Sequence, residues 1–176
     1  MLYDQDDCKF AVRETSKDDI PLILSLIGEF AEYEKVSYDL RVNKEKLEKH
    51  LFGKAPKAEA LIGEFEGEAI AFVAFFYTFS TFQGEIGLYI EDLYVRPVFR
   101  GKGFGRKILS YLADLAKKRF CKRIEWSMVD WEQKTIDFYE RLGAEAMEDQ
   151  TVYRFSGTAL ADLTGEKQAC SAMQAF

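Results

Sequence analysis

The sequence predicts an α/β protein in which one mixed β-sheet carries helices on both faces. The first observation is the order of periodic segments along the chain, βααβββ and then αβαβ, which favours such a sheet. The second is size, because 176 residues with 48% hydrophobic content fill one core and leave little room for two. The third is that no repeat or low-complexity linker divides the chain. We therefore predict a single domain over residues 1–165 and a C-terminal tail over 166–176.

The N-terminal part of the chain predicts a strand and two helices. The strand is Phe10–Arg13. Ser16 supplies a capping side chain, and the acids that follow it are typical of a helix start. Apolar residues then recur at helical spacing to about Glu34: Ile20, Ile23, Leu24, Ile27 and Phe30. Asn43 is placed to cap a second, short helix that ends at Gly53.

The middle of the chain predicts a hairpin and a third long strand. Residues 60–65 and 69–78 are apolar runs separated by Glu66-Gly67-Glu68, which is typical of a hairpin turn. The third strand extends from about Glu85 to Val95.

The C-terminal part predicts two more helices and two more strands. The longer helix, Gly103–Phe120, has one apolar face formed by Phe104, Ile108, Leu112 and Leu115. The remaining elements are a strand over Arg123–Val129, a helix over Thr135–Leu142 that Gly143 ends, and a strand over Val152–Phe155 that closes the sheet.

Charge and residue types exclude several classes of function. The 24 basic and 30 acidic residues give a net charge of −6, which argues against nucleic-acid binding and suits a cationic partner. His50 is the only histidine and lies in a predicted solvated helix, so a metal site built on several histidines is excluded. The three cysteines lie far apart, so they show neither a disulfide framework nor a Cys-x-x-Cys metal site, and we predict no bound metal.

The apolar segments do not indicate a membrane protein. The longest run, Ala69–Phe79, is too short to cross a bilayer, and the N-terminus is acidic where a secretory signal would be basic. We therefore expect a cytoplasmic protein with no membrane partner.

The densest chemical signal is the junction between the third long strand and the long helix, Val95–Lys107. Three glycines alternate there, and residues 96–107 contain five basic side chains and no acid. Glycines at a helix N-terminus let an anion approach the backbone amides closely, and phosphate is the usual ligand. The spacing fits neither the dinucleotide fingerprint, which would need glycine at Ile108, nor a P-loop. The residues alone indicate either another kind of phosphate cradle or a plain glycine-rich turn with a solvated basic face.

Residues Arg100–Gly105 resemble the Arg/Gln-x-x-Gly-x-Gly/Ala loop of the GNAT acetyltransferases, which binds a pyrophosphate. Three other segments resemble the spermidine/spermine branch of that superfamily, which includes the thialysine acetyltransferases: Phe30–Glu34, Tyr89–Val95 and Ile136–Ala144. The resemblance extends from about Phe10 to Phe155. It implies a mostly antiparallel sheet, acetyl-CoA as co-substrate, and a homodimer with the acceptor site near its interface. The long apolar strand and Val152–Phe155 would suit a shared sheet edge.

The resemblance also assigns the cofactor contacts. It implies that the pantetheine arm pairs with the strand at Leu93, Tyr94 and Val95, and that a strand amide polarises the thioester carbonyl. The remaining implied cofactor-binding residues are Arg100, Gly101, Lys102, Gly103, Phe104, Gly105, Arg106 and Thr135. Glu132 stands where the family commonly has an asparagine that contacts the cofactor.

Acetyl transfer to an amine needs an acid and a base. At neutral pH only on the order of one alkylamine in a thousand is unprotonated, which is a handicap of about 4–5 kcal/mol. Glu91, at the strand end before the glycines, is the carboxylate best placed to take the proton, unless it is only an exposed strand residue. Strict alternation turns Asp92 to the opposite face of the strand. Tyr139 matches the tyrosine that the family uses to protonate the leaving thiolate, although the residues alone favour a core aromatic.

The acceptor and one alternative function stay open. The resemblance places Tyr33, Glu34 and Glu91 at the acceptor, while Thr81 and Thr151 stand where the polyamine enzymes have acids. The acceptor is therefore a small cationic amine: a polyamine, a diamine or a lysine-like amino acid. The alternative is a non-catalytic acyl-CoA-binding sensor, against which the presence of both Glu91 and Tyr139 argues.

Overall fold

The computed structural model describes residues 9–35, 40–128, 133–147 and 150–163. These residues belong to two compact units, Met1–Met128 and Val129–Phe176, which we describe separately. The predicted tail at 166–176 lies outside the described residues.

The first unit is built on a five-stranded sheet with the order β1-β2-β3-β4-β5. Its strands are β1 (Phe10–Glu14), β2 (Glu59–Phe65), β3 (Glu68–Ser80), β4 (Glu85–Val95) and β5 (Arg123–Trp126). The first four strands pair antiparallel, and only β5 pairs parallel, with β4. The mostly antiparallel mixed sheet that the resemblance implies is therefore confirmed.

Three helices complete this unit, and capping side chains begin two of the helical segments. The helices are α1 (Ile20–Tyr33), α2 (Lys44–Phe52) and α3 (Phe104–Lys118). As predicted, the Ser16 side chain accepts the Asp18 amide at the 3₁₀ turn before α1, and the Asn43 side chain accepts the Lys46 amide at the start of α2. His50 is exposed in α2, which confirms its prediction as a surface residue.

Two apolar clusters cover the two faces of the sheet. One cluster joins β3 and β4 to α3, where Phe104, Ile108 and Leu112 are buried as predicted and Leu115 packs at the margin. The other joins the opposite face to α1 and α2, and it includes Ile23, Leu26, Phe72 and Tyr94. Helices on both faces are therefore confirmed. No helix within the described ranges is long and apolar enough to span a membrane.

The second unit differs from the sequence prediction at its end. It contains α4 (Gln133–Glu140), close to the predicted helix, and a short α5 (Thr158–Leu163) that was not predicted. Val152–Phe155 form no strand, so the prediction that they close the sheet is wrong. The apolar spacing there is real, but Val152 is 79% exposed and Tyr153 is 89% exposed. Side chains in water gain no burial energy that would offset the ordering of a strand.

Candidate active site

The two long edges of β4 are paired to different extents. On one edge, β3 follows β4 as far as the Ala71–Val95 pair. On the other edge, β5 pairs only with Gly87–Ile90 and ends at Trp126. Among the described residues, β5 therefore leaves one edge of Glu91–Val95 unmatched. An extended ligand can hydrogen-bond to such an edge as an added strand, and the predicted residues Leu93, Tyr94 and Val95 lie in it.

A β-bulge changes which faces the acidic residues of β4 occupy. Ala74 pairs with Asp92 and Phe75 pairs with Ile90, so Glu91 is the extra residue. Ile90 and Leu93 consequently both pack on the α3 side of the sheet, although they are three positions apart. Asp92 then shares the α1 side with Tyr94. The strict alternation on which the prediction for Asp92 rested does not hold here.

Asp92 is a second carboxyl at this end of β4, on a face where strict alternation did not place it. Its partial burial, and secondly the charges of Glu91 and Glu34, raise the pKa of its carboxyl to about 6. Burial disfavours the charged form, and like charges nearby disfavour it further. The signal available in the sequence was two consecutive acids in an otherwise apolar strand, which is an unusual place for charge.

The end of α1 brings the predicted acceptor residues to this group. Glu34 is the C-terminal cap residue of α1, and its charge contributes to the raised pKa of the Asp92 carboxyl. Tyr33 precedes it and is 37% exposed. The structure thus brings together the carboxyls of Glu34, Glu91 and Asp92 beside the splayed end of β4.

The glycine-rich junction has the geometry of an anion cradle. After a 3₁₀ turn at Pro97–Phe99, Gly101 and Gly103 adopt φ values of +75° and +85°, which glycine accepts readily. A Cβ built on either glycine meets nothing within 4 Å, so the space in front of the backbone is open. Gly103 caps α3 without a side-chain bond, and the first intrahelical bond is from the Lys107 amide to Gly103. The amides of residues 104–106 therefore have no helical acceptor, which fits a pyrophosphate.

The basic residues at this junction make different contacts. Arg96 donates to both Glu29 oxygens at 2.8 Å and also bonds Glu68 and the Ala69 carbonyl. It is therefore a structural residue that ties the end of β4 to α1. Arg100, Lys102 and Arg106 are all exposed, and Arg100 also packs on an aromatic ring, that of Tyr33.

In the second unit, α4 carries two predicted residues. Burial raises the pKa of the Tyr139 phenol, which keeps it protonated at neutral pH. The Phe138 ring lies next to it, with 5.1 Å between the ring centroids. Thr135 lies one turn before Tyr139 on the same helix. Glu132 is outside the described residues.

A search of protein families matches residues 23–144 to the acetyltransferase (GNAT) family. The chain belongs to the GNAT acetyltransferase family. The match spans α1, the sheet from β2 to β5, the glycine cradle and α4. The chain is therefore an acetyltransferase, and acetyl-CoA is the co-substrate that this family uses. This confirms the family predicted from the loop and its neighbouring segments.

Two relatives of this GNAT acetyltransferase carry the names of small amines. It is 33% identical over 166 residues to thialysine N-epsilon-acetyltransferase of Bos taurus, covering 88% of this chain and 97% of the relative. It is 28% identical over 168 residues to spermidine/spermine N(1)-acetyltransferase-like protein 1 of Homo sapiens, covering 90% of this chain and 24% of that protein. A solved integron cassette protein of V. cholerae has the same fold, with a TM-score of 0.73 at 22% identity, covering 89% and 98% of the two chains.

Proposed function

We propose that this protein transfers the acetyl group of acetyl-CoA to a primary amine of a small cationic acceptor by direct attack in a ternary complex. The observation that carries the proposal is the group of Glu34, Glu91 and Asp92 carboxyls. Glu91 and Asp92 lie on the end of β4 that leads into the anion cradle, and Glu34 lies at the end of α1. The negative charges of these carboxyls attract a cationic amine. The bound amine can attack the acetyl group directly, so no covalent enzyme intermediate is needed.

Backbone groups hold the co-substrate in this proposal. Acetyl-CoA supplies the activated acetyl group. The unmatched edge of β4 at Leu93, Tyr94 and Val95 pairs with the pantetheine arm, and one of its amides polarises the thioester carbonyl, which is worth about 3–4 kcal/mol in comparable sites. We propose that the pyrophosphate is bound by the cradle residues, which are Arg100 through its backbone, Gly101, Lys102, Gly103, Phe104, Gly105 and Arg106. Thr135 of α4 is a further proposed contact of the co-substrate.

Glu91 and Asp92 remove the proton of the acceptor amine. Glu91 is exposed at the bulge, where it meets the ammonium and accepts its proton directly or through water. The Asp92 carboxyl, with its pKa raised to about 6, is suited to accept a proton near neutral pH and shares the proton. Tyr139 then donates a proton to the departing thiolate, because a protonated phenol can give its proton to a nascent thiolate.

One relative and two side chains of this protein support a short acceptor amine. The bovine relative is named for the ε-amine of thialysine, and the alignment covers 97% of its length. Thr81 and Thr151 are exposed and uncharged where a longer polycation would need further acids. We therefore propose lysine-like amino acids or short diamines ahead of spermine.

An amine panel tests this function. Purified protein is given acetyl-CoA and, in separate reactions, thialysine, lysine, ornithine, short diamines, spermidine and spermine, and released thiol is measured. We expect amine-dependent release that is fastest for the lysine-like acceptors. Norleucine, which lacks the side-chain amine, is the negative control. CoA binding by calorimetry with no amine-dependent release would instead favour the acyl-CoA sensor.

Substitution of the two carboxyls should separate their contributions to the pH profile of kcat/KM. Glu91→Gln removes a charge that raises the pKa of Asp92. The fall of kcat/KM on the acid side, which we expect near pH 6 in the wild type, should therefore move to lower pH. Activity of this variant should fall most at neutral pH and recover as the pH approaches the pKa of the amine. In Asp92→Asn, the fall of kcat/KM near pH 6 should disappear.

Glu85→Gln, at the other end of β4, is the matched control and should keep the wild-type profile. If both site variants lose activity by one small factor at every pH, neither carboxyl handles the proton. Attack by solvent-deprotonated amine would then be the simpler mechanism.

We also propose a cytoplasmic homodimer. The exposed apolar side chains of Val152, Tyr153 and Phe155 support a self-association surface, although not as the paired strand first expected. The buried, free thiol of Cys121 suits a reducing compartment. Light scattering at micromolar concentration measures the mass directly.

A further inference from the structure

We propose that the Arg100 side chain positions the acceptor end of α1 instead of binding the phosphates of the co-substrate. This inference rests on the proposed function, in which Tyr33 and Glu34 belong to the acceptor site. It reassigns the side chain of a residue whose position in the glycine motif would suggest a phosphate contact.

The geometry places Arg100 against aromatic rings. The guanidinium carbon lies 3.8 Å from the centroid of the Tyr33 ring and 5.7 Å from that of the Tyr94 ring. Its Nε donates to the Val95 carbonyl at 2.8 Å, which fixes the direction of the side chain. Tyr94 in turn contacts the Phe30 ring, with 5.4 Å between the centroids. Arg100 is exposed, but its contacts with Tyr33 and Val95 bridge the last turn of α1 and the end of β4.

Arg96 makes a second contact with α1, one helical turn before Tyr33. It binds Glu29, four residues before Tyr33 and on the same side of α1. Arg96 and Arg100 lie at the two ends of the 3₁₀ turn at Pro97–Phe99. We call these two arginines with Glu29 and Tyr33 the arginine clasp. It joins α1 to the segment that leads into the glycine cradle.

The end of α1 needs such a support. The helix ends without a glycine, and Lys35 has a φ of +50°, which is unfavourable for a residue with a side chain. The position of Tyr33, the last residue of α1, and of Glu34, its cap residue, relative to Asp92 therefore depends on contacts such as the clasp. Loss of the Arg100 contact should therefore weaken acceptor binding before it weakens co-substrate binding.

Charge and stacking can be separated by substitution. A lysine keeps the positive charge that a phosphate contact needs, but it lacks the flat guanidinium that packs on a ring and the Nε donor. Arg100→Lys and Arg100→Gln should therefore both raise the acceptor KM about tenfold, with less than about a threefold change in the Kd of CoA. Arg106→Gln and Arg106→Lys, in the first turn of α3, are the matched controls. The glutamine control should weaken CoA and leave the acceptor KM nearly unchanged.

A partner substitution and a structural readout complete the test. Tyr33→Leu should raise the acceptor KM as Arg100→Gln does, and the double variant should be no worse than either single one. Amide hydrogen exchange of residues 30–34 should be faster in both Arg100 variants and unchanged in the Arg106 variants, whatever the acceptor is. This measurement needs no activity, so it distinguishes failure of the clasp from failure of the proposed function.

Two results would overturn the proposal. One is that Arg100→Gln weakens CoA while Arg100→Lys restores wild-type binding, which would show a phosphate contact. The other is unchanged hydrogen exchange at residues 30–34 together with an unchanged acceptor KM in both Arg100 variants.

Discussion

Gly105→Val should abolish CoA binding while the protein stays folded. Gly105 lies at the start of α3 outside the positive-φ region, so a side chain there strains the backbone less than one at Gly101 or Gly103. The added methyl groups would lie against the amides of the cradle and exclude the phosphates. We expect the Kd of CoA, measured by calorimetry, to rise by roughly 100-fold or more, about 2.7 kcal/mol.

Gly28→Val is the matched control for this prediction. Gly28 lies inside α1, and a Cβ there meets nothing within 4 Å. Both substitutions exchange a helical glycine for a better helix former, so effects on helix stability are similar. The control should bind CoA like the wild type. Wild-type affinity in Gly105→Val would show that the phosphates are bound elsewhere.

Tyr139→Phe should lower kcat strongly and leave CoA affinity almost unchanged. The substitution removes only the hydroxyl, and burial of this phenol raises its pKa, so the wild-type residue enters the reaction with its proton. Loss of a general acid costs about 10²–10⁴-fold in rate. Steady-state kinetics with saturating acetyl-CoA and a direct binding measurement separate the two effects.

Tyr153→Phe removes a hydroxyl from an exposed position of the same unit and should leave kcat unchanged. A fall in kcat of less than threefold for Tyr139→Phe would assign protonation of the thiolate to water. An equal loss of CoA affinity in Tyr139→Phe would instead make the phenol a binding group.

The sequence predicts best those elements that are determined by residues near one another in the chain. The hairpin depends on adjacent residues, and Glu66 and Gly67 indeed form a two-residue turn with φ values of +52° and +83°. Asn43 caps α2 through an amide three residues away. The apolar spacing of α3 predicts three of its four buried side chains, and it selects the partly buried Leu115 in place of the neighbouring Ala116.

The features that the sequence does not predict depend on distant parts of the chain. A bulge at Glu91 is a property of two strands, so no alternation within β4 could place Asp92 on the α1 side. Arg96 and Arg100 look like part of one basic cluster in the sequence, yet contacts to Glu29 and Tyr33 give them structural environments. Val152–Phe155 have a strand-like pattern, but a strand also needs a partner, and a short apolar run does not specify one.

Because of the bulge, Glu91, which we propose as a proton acceptor, is not a residue that stabilises the sheet. Glu91 is the extra residue of β4 and is exposed, so its side chain carries none of the packing that holds the sheet. A different side chain could stand there at little cost to folding, and even deletion of the residue would leave a regular strand in which Ile90 still pairs with Phe75 and Asp92 with Ala74. Over evolutionary time the side chain at this position can therefore be exchanged, or the position lost, while the register between β3 and β4 stays fixed.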